Sequence, residues 1–126
     1  MLANDFDVVV LCAKEHQHVH LPDVEVIQCP LDDGPPPSAD EIRRACSTAK
    51  RVARRLALGQ RVLVTCHMGW NRSGLVTALT LREMGLTPRQ AIGVVRVARG
   101  PKALGNRHFV TLIGLVKGSA SSEVRP

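Results

Sequence analysis

Residues 62–76 read VLVTCHMGWNRSGLV. An apolar run ends in Thr65 and Cys66, a glycine-centred loop follows, and Arg72-Ser73-Gly74 opens a stretch with helical spacing. The pattern is a strand, a loop and a helix start. At such a junction the first backbone N–H groups of the helix lack intrahelical partners, converge on one spot and carry the positive end of the helix dipole. The spot suits an anion, above all phosphate. A cysteine at its base is stabilised as the nucleophilic thiolate. Arg72 adds a planar fork that can grip two phosphate oxygens, which lysine cannot do. Gly69 lets the backbone turn with positive φ and approach the anion closely. Ser73 places a hydroxyl that can donate to the sulfur as it leaves. Cys66 alone fits a buried cysteine at a strand end. The set in this order points instead to thiolate attack on phosphorus, a cysteinyl-phosphate and its hydrolysis by water. His67, Met68, Gly69, Trp70, Asn71 and Arg72 would line the phosphate, with Cys66, Arg72 and Ser73 catalytic and Gly74 supporting.

Outward from this loop the chain alternates between strands and helices. FDVVVLCA (6–13) and VEVIQCPL (24–31) are short apolar runs rich in β-branched residues, hence buried strands, and RVLVT (61–65) is the third. DDGPPPSAD (32–40) is a loop. Ser38 and Glu41 then form an S-x-x-E capping box for a helix ending near Leu58, with Gly59 just beyond. Its cations Arg43, Arg44, Lys50, Arg51, Arg54 and Arg55 read as a solvated face. Further helices are expected over about 73–84, from Thr87-Pro88 to Gly100-Pro101, and over about 107–117. GSASSEVRP (118–126) reads as a disordered tail, leaving 1–117 as one domain. The expected fold is α/β: a small, mostly parallel sheet flanked by helices.

Composition agrees and sets limits. The 126 residues are 44% hydrophobic but only 2% aromatic, so the core must come from Val, Leu, Ile and Ala. A formal net charge of +6 suits an anionic partner. No aromatic pattern for stacking RNA bases accompanies it, so nucleic acid is not expected. The cysteines at 12, 29, 46 and 66 form no C-x-x-C pair, which argues against a zinc or thioredoxin motif. His16, His18 and His20 alternate, but without a nearby carboxylate or thiol pattern they read as loop residues, and no metal is expected. With no signal peptide and no long apolar span, the cytoplasm is the default location.

CHMGWNRSG resembles the C-x-x-G-x-x-R-[ST] signature of the cysteine-dependent protein phosphatases, in their compact dual-specificity branch. Its place after a mid-chain strand is unlike the low-molecular-weight phosphatases and arsenate reductases, whose loop opens the chain. AIGVVRVARGPKALGNRHFVTLI (91–113) is similar to the segment after the loop in small bacterial members, and FDVVVLCAKE and VIQCPLDDG are similar to the strands before it. The resemblance runs from about Phe6 to Leu115.

The resemblance implies hydrolysis of phosphomonoesters, most of all phosphotyrosine and also phosphoserine or phosphothreonine in proteins, without a cofactor, by a monomer or weak dimer. It implies a general acid on the loop after the second strand, where Asp33 sits at the P-hydrophobic-x-D-G position and Asp32 is the fallback. The residues alone suit an ordinary polar turn equally well. It implies that Asn106 braces the phosphate loop, and the same asparagine fits the N-cap of the last helix. LCAKE is similar to the LCAE segment of the phosphoinositide branch, whose cysteine can pair with the nucleophile, so Cys12 is a candidate redox partner of Cys66.

Two departures stand out. Thr65 occupies the place of a histidine that supports the loop, so weaker stabilisation of the thiolate is expected. Only five residues precede Phe6, where family members open with further strands, so a sheet shortened at its N-terminus is expected, with one edge exposed or paired. Trp70 either packs on a helix or stacks on a phosphotyrosine ring at the pocket rim. Two other substrate classes compete within the superfamily. Phosphoinositide enzymes tend to carry loop lysines, and this loop has none. RNA 5′-triphosphatases share N-R-[ST]-G but usually lack the loop aspartate. A catalytically weak phosphate-binding module is the remaining alternative, suggested by Thr65.

Overall fold

Strand β1 (Val8–Ala13) is buried along its whole length, because it runs between β2 (Glu25–Leu31) and β3 (Val62–Thr65) in a parallel sheet of order β2-β1-β3. The computed structural model describes residues 5–15, 17, 21–66 and 71–117. The expectations for His16, His18, His20, His67, Met68, Gly69, Trp70 and the tail from 118 lie outside the described residues.

The helices are α1 (Ala39–Ala57), α2 (Asn71–Glu83), α3 (Pro88–Arg99) and α4 (Arg107–Leu115). Val8, Val10 and Cys12 alternate onto one face of β1. There they join Ile27 and Cys29 of β2, Ala45, Ala49 and Val52 of α1, and Leu75, Val76 and Leu79 of α2 in one apolar cluster. Phe109 and Ile113 of α4 complete it. Among the described residues no helix is long and apolar enough to cross a membrane.

The expected capping box forms. Ser38 Oγ accepts the Glu41 N–H at 3.1 Å, and Glu41 Oε1 accepts the Ser38 N–H at 2.9 Å. Thr87 and Gln90 make the same exchange at the start of α3. Helix α2 begins at Asn71, earlier than the expected Ser73, so Arg72 lies inside its first turn. Helix α4 stops at Leu115, short of the expected Lys117, because Arg82 reaches over from α2 and donates to the carbonyls of Ile113, Leu86 and Val116. The cations of α1 are not simply a solvated face. Arg44 donates to the Pro30 carbonyl, Arg51 and Arg55 share Glu25, and Lys50 pairs with Glu83. These contacts tie α1 to β2 and α2.

Candidate active site

Parallel pairing carries β1 and β3 to a common end. The rungs run from Val8 with Val62 to Leu11 with Thr65. Cys12 and Cys66 each follow this last rung by one residue, Cys12 within the core cluster and Cys66 packed against it. Cys66 is thus the first residue past β3. Its thiol donates to Ser73 Oγ, at 3.2 Å, across the junction with α2. When the sulfur is a thiolate the donor is the serine hydroxyl.

Arg72 is buried, with 7% of its surface exposed. Nη1 donates to Glu15 Oε1 at 2.8 Å and Nη2 to Glu15 Oε2 at 3.0 Å. Nη1 also reaches the Leu31 carbonyl at 3.3 Å. The hydrogen bonds to Glu15 raise the arginine's proton affinity above its ordinary level. Burial opposes this, and the charges of Cys66 and Asp33 add to it. Nε is buried and has no partner among the described residues. A buried guanidinium N–H without an acceptor is costly unless a ligand supplies one.

Asp33 sits in the loop between β2 and α1. Its Oδ2 accepts from Asn71 Nδ2 and its Oδ1 from Asn106 Nδ2, both at 3.0 Å. Asp32 points away and pairs with Lys14 at 3.3 Å. The Asp32 backbone N–H donates to Glu41 Oε2 at 2.9 Å, so the capping glutamate also pins this loop. Asn106 does cap α4, accepting the His108 N–H at 2.9 Å. Its backbone N–H meets Asn71 Oδ1 at 3.3 Å, so its link to the phosphate loop runs through Asn71. A cavity of about 370 Å³ opens here, lined by Asp33, Gly34, Asn71, Asn106, Arg107 and His108 among others.

Gly74 supports this junction by what it lacks. A Cβ there would lie 3.2 Å from Leu104. Arg96 holds Leu104 in place by donating to the carbonyls of Ala103 and Leu104 at 3.0 and 3.1 Å. The first turn of α2 can therefore press against the 100–105 loop.

Cys12, Cys29 and Cys46 are free thiols. Burial pushes the Cys12 thiol well above its ordinary range; the neighbouring Cys29 and Cys66 push the same way and Arg72 opposes. Among the described residues no group of three His, Cys, Asp or Glu side chains could hold a metal ion.

Sequence reasoning brought Cys66, Arg72, Ser73, Asp33 and Asn106 to this place. It missed Glu15 as the partner of Arg72. The available signal was an acidic residue just past a strand end beside the strand that leads to Cys66. It also treated Asn71 as part of a phosphate-lining backbone, whereas its side chain binds Asp33.

Residues 1–116 match the family model of the dual specificity phosphatase catalytic domain. No curated protein matches the chain in sequence. Among solved structures, Tk-PTP in its active form is 26% identical with a TM-score of 0.73, covering 97% of this chain and 82% of that one. Human DUSP28 is 25% identical with a TM-score of 0.74, covering 86% and 72%. Kinase associated phosphatase, solved with its catalytic-site cysteine replaced by serine, shares the fold at 21% identity and a TM-score of 0.69, covering 86% and 66%.

Proposed function

Since the chain belongs to the dual specificity phosphatase catalytic-domain family and is a cysteine-dependent protein phosphatase, we propose that it hydrolyses phosphotyrosine, and also phosphoserine and phosphothreonine, through a cysteinyl-phosphate on Cys66. The observation that carries this reading is the buried Nε of Arg72, which has no partner among the described residues, on a guanidinium whose other nitrogens Glu15 already holds. A phosphate oxygen is the acceptor it lacks.

In this reading the phosphate sits in the loop of residues 67–72, against the backbone N–H groups and Arg72. The Cys66 thiolate attacks phosphorus as the P–O bond to the leaving group breaks. Asp33 gives its proton to the departing oxygen. The Asp33 carboxylate then takes a proton from water as that water attacks phosphorus and the P–S bond breaks. The Ser73 hydroxyl steadies the thiolate that leaves. Thr65 carries no charge to this site, so thiolate stabilisation falls to the loop amides, the helix dipole and Ser73. Cys12 is the redox partner of Cys66. The working setting is the reduced cytoplasm, where free thiols persist, and the working form is a monomer or weak dimer on a phosphorylated protein.

The test is turnover of phosphotyrosine, phosphoserine, phosphoinositide and 5′-triphosphate RNA by wild type and Cys66→Ser. The reading expects release of phosphate from phosphotyrosine peptide by wild type and none by Cys66→Ser. Equal activity of the two proteins, or activity confined to the lipid or the RNA, overturns it.

A further inference from the structure

Asn71, Asp33 and Asn106 form a closed ring of hydrogen bonds. Asn71 donates from Nδ2 to Asp33 at 3.0 Å, Asn106 donates from Nδ2 to the other oxygen of Asp33 at 3.0 Å, and the Asn106 N–H returns to Asn71 Oδ1 at 3.3 Å. The ring fixes which way the Asn71 amide faces. Turned over, it would set its NH₂ against an N–H and its carbonyl against a carboxylate, two repulsions in place of two bonds.

From this geometry we infer that Asn71 is the positioning residue of the acid, the side chain that sets Asp33 against the leaving group before substrate arrives. The inference rests on the phosphatase reading above and deepens it. Asn71 is the residue before Arg72, at the first position of α2. One short side chain therefore couples the group that holds the phosphate to the group that protonates its leaving oxygen. Asn106 contributes the second donor but stands on α4, and its own Oδ1 is committed to the cap. Asn71 alone in the ring belongs to the phosphate loop, so it registers the carboxyl against the bound phosphorus. An acid displaced by about an ångström loses much of its rate contribution while phosphate binding is untouched.

The test uses two leaving groups and a double-mutant cycle. In Asn71→Ala, kcat on phosphotyrosine peptide should fall about tenfold or more, as expected for an acid no longer held in register. Turnover of an activated aryl phosphate, which needs little protonation, should change less than about threefold. Inhibition by inorganic phosphate should stay as in wild type. In an Asp33→Asn background Asn71→Ala should add almost nothing, because the group it positions is gone. Asn71→Asp keeps the shape and the oxygen that accepts the Asn106 N–H, but it replaces the donor to Asp33 with a like charge. It should show the same leaving-group split.

Equal losses on both substrates, a matching loss of phosphate inhibition, or full additivity with Asp33→Asn would overturn the inference. A wild type that turns over neither substrate defeats the phosphatase reading itself, which separates the two failures.

Discussion

Arg72 meets Glu15 end to end, with Nη1–Oε1 at 2.8 Å and Nη2–Oε2 at 3.0 Å, and among the described residues this leaves the Nε side of the guanidinium without a partner. In the proposed reading Glu15 thereby decides which face of the arginine a phosphate would see. Its side chain is 47% exposed, so its value lies more in orientation than in stability. Glu15→Ala should raise KM for an aryl phosphate about tenfold, the share of one charge-assisted bond, with little change in melting temperature. Arg72→Lys should lose more in both KM and kcat, because a point charge cannot serve Glu15 and phosphate together. Unchanged KM in Glu15→Ala would mean that the Leu31 carbonyl and packing alone hold the fork.

The two adjacent aspartates differ in their partners, and the difference predicts opposite mutational outcomes. Asp33 receives two amide donors in the cavity, whereas Asp32 pairs with the exposed Lys14. Asp33→Asn should lower kcat on phosphotyrosine peptide by about 10²–10⁴-fold and affect an activated aryl phosphate far less. Asp32→Asn should leave both within about twofold, as an exposed ion pair is worth little. A larger effect from Asp32→Asn would move the acid by one residue.

Glu41 links fold and site through its two oxygens, one on the Ser38 N–H and one on the Asp32 N–H. Burial raises its proton affinity, but the hydrogen bonds from Ser38 and Asp32 and the nearby Arg44 outweigh this and hold the carboxyl below its ordinary range. The folded value lies under the unfolded one, so the stabilisation is present at neutral pH and is lost as pH falls through the folded value. Glu41→Ala should cost about 1 kcal/mol at pH 7, the usual worth of a cap. The gap to wild type should narrow at an acid pH below the ordinary carboxylate range, where the wild-type carboxyl also takes up a proton. Chemical denaturation at both pH values measures this, and a gap independent of pH would assign the effect to helix propensity alone.

These contacts mark where local sequence logic ends. Strands, capping boxes and the Cys66–Ser73 junction are local: period, cap residues and loop spacing dictate them within a few positions. The Glu15–Arg72 pair spans 57 residues and Asn106–Asp33 spans 73. No periodicity encodes such partners; they meet only because β1 is central and α4 folds back beside the acid loop. Most of the α1 cations are exposed, as expected, but their acidic partners are equally non-local. At helical spacing the cations look solvated, and only the placement of Glu25 and Glu83 on β2 and α2 turns them into ties.

Register makes the last prediction, for Cys12. Leu11 pairs with Thr65 on the last rung between β1 and β3, and Cys12 and Cys66 each follow that rung by one residue, near enough for Cys66 to act on the Cys12 thiol. Adjacent strands lie about 4.8 Å apart, inside the Cα separation of about 4.4–6.8 Å that a disulfide needs. Cys29 lies on β2, on the far side of β1 from β3, and thus stands about two strand spacings from Cys66, beyond that reach. Burial keeps Cys12 a thiol and shields it, so peroxide should meet the less buried Cys66 first, giving a sulfenic acid and releasing water. The Cys12 sulfur then displaces the sulfenic oxygen, which leaves as a second water, and the disulfide blocks further oxidation of Cys66. After mild peroxide, peptide mapping should find Cys12 joined to Cys66, and dithiol should restore activity. Cys12→Ser should form no such bridge, and its lost activity should become harder to recover, because Cys29 is too far away to substitute. If Cys12→Ser recovers as fully as wild type and no bridge is found, Cys12 serves the core alone.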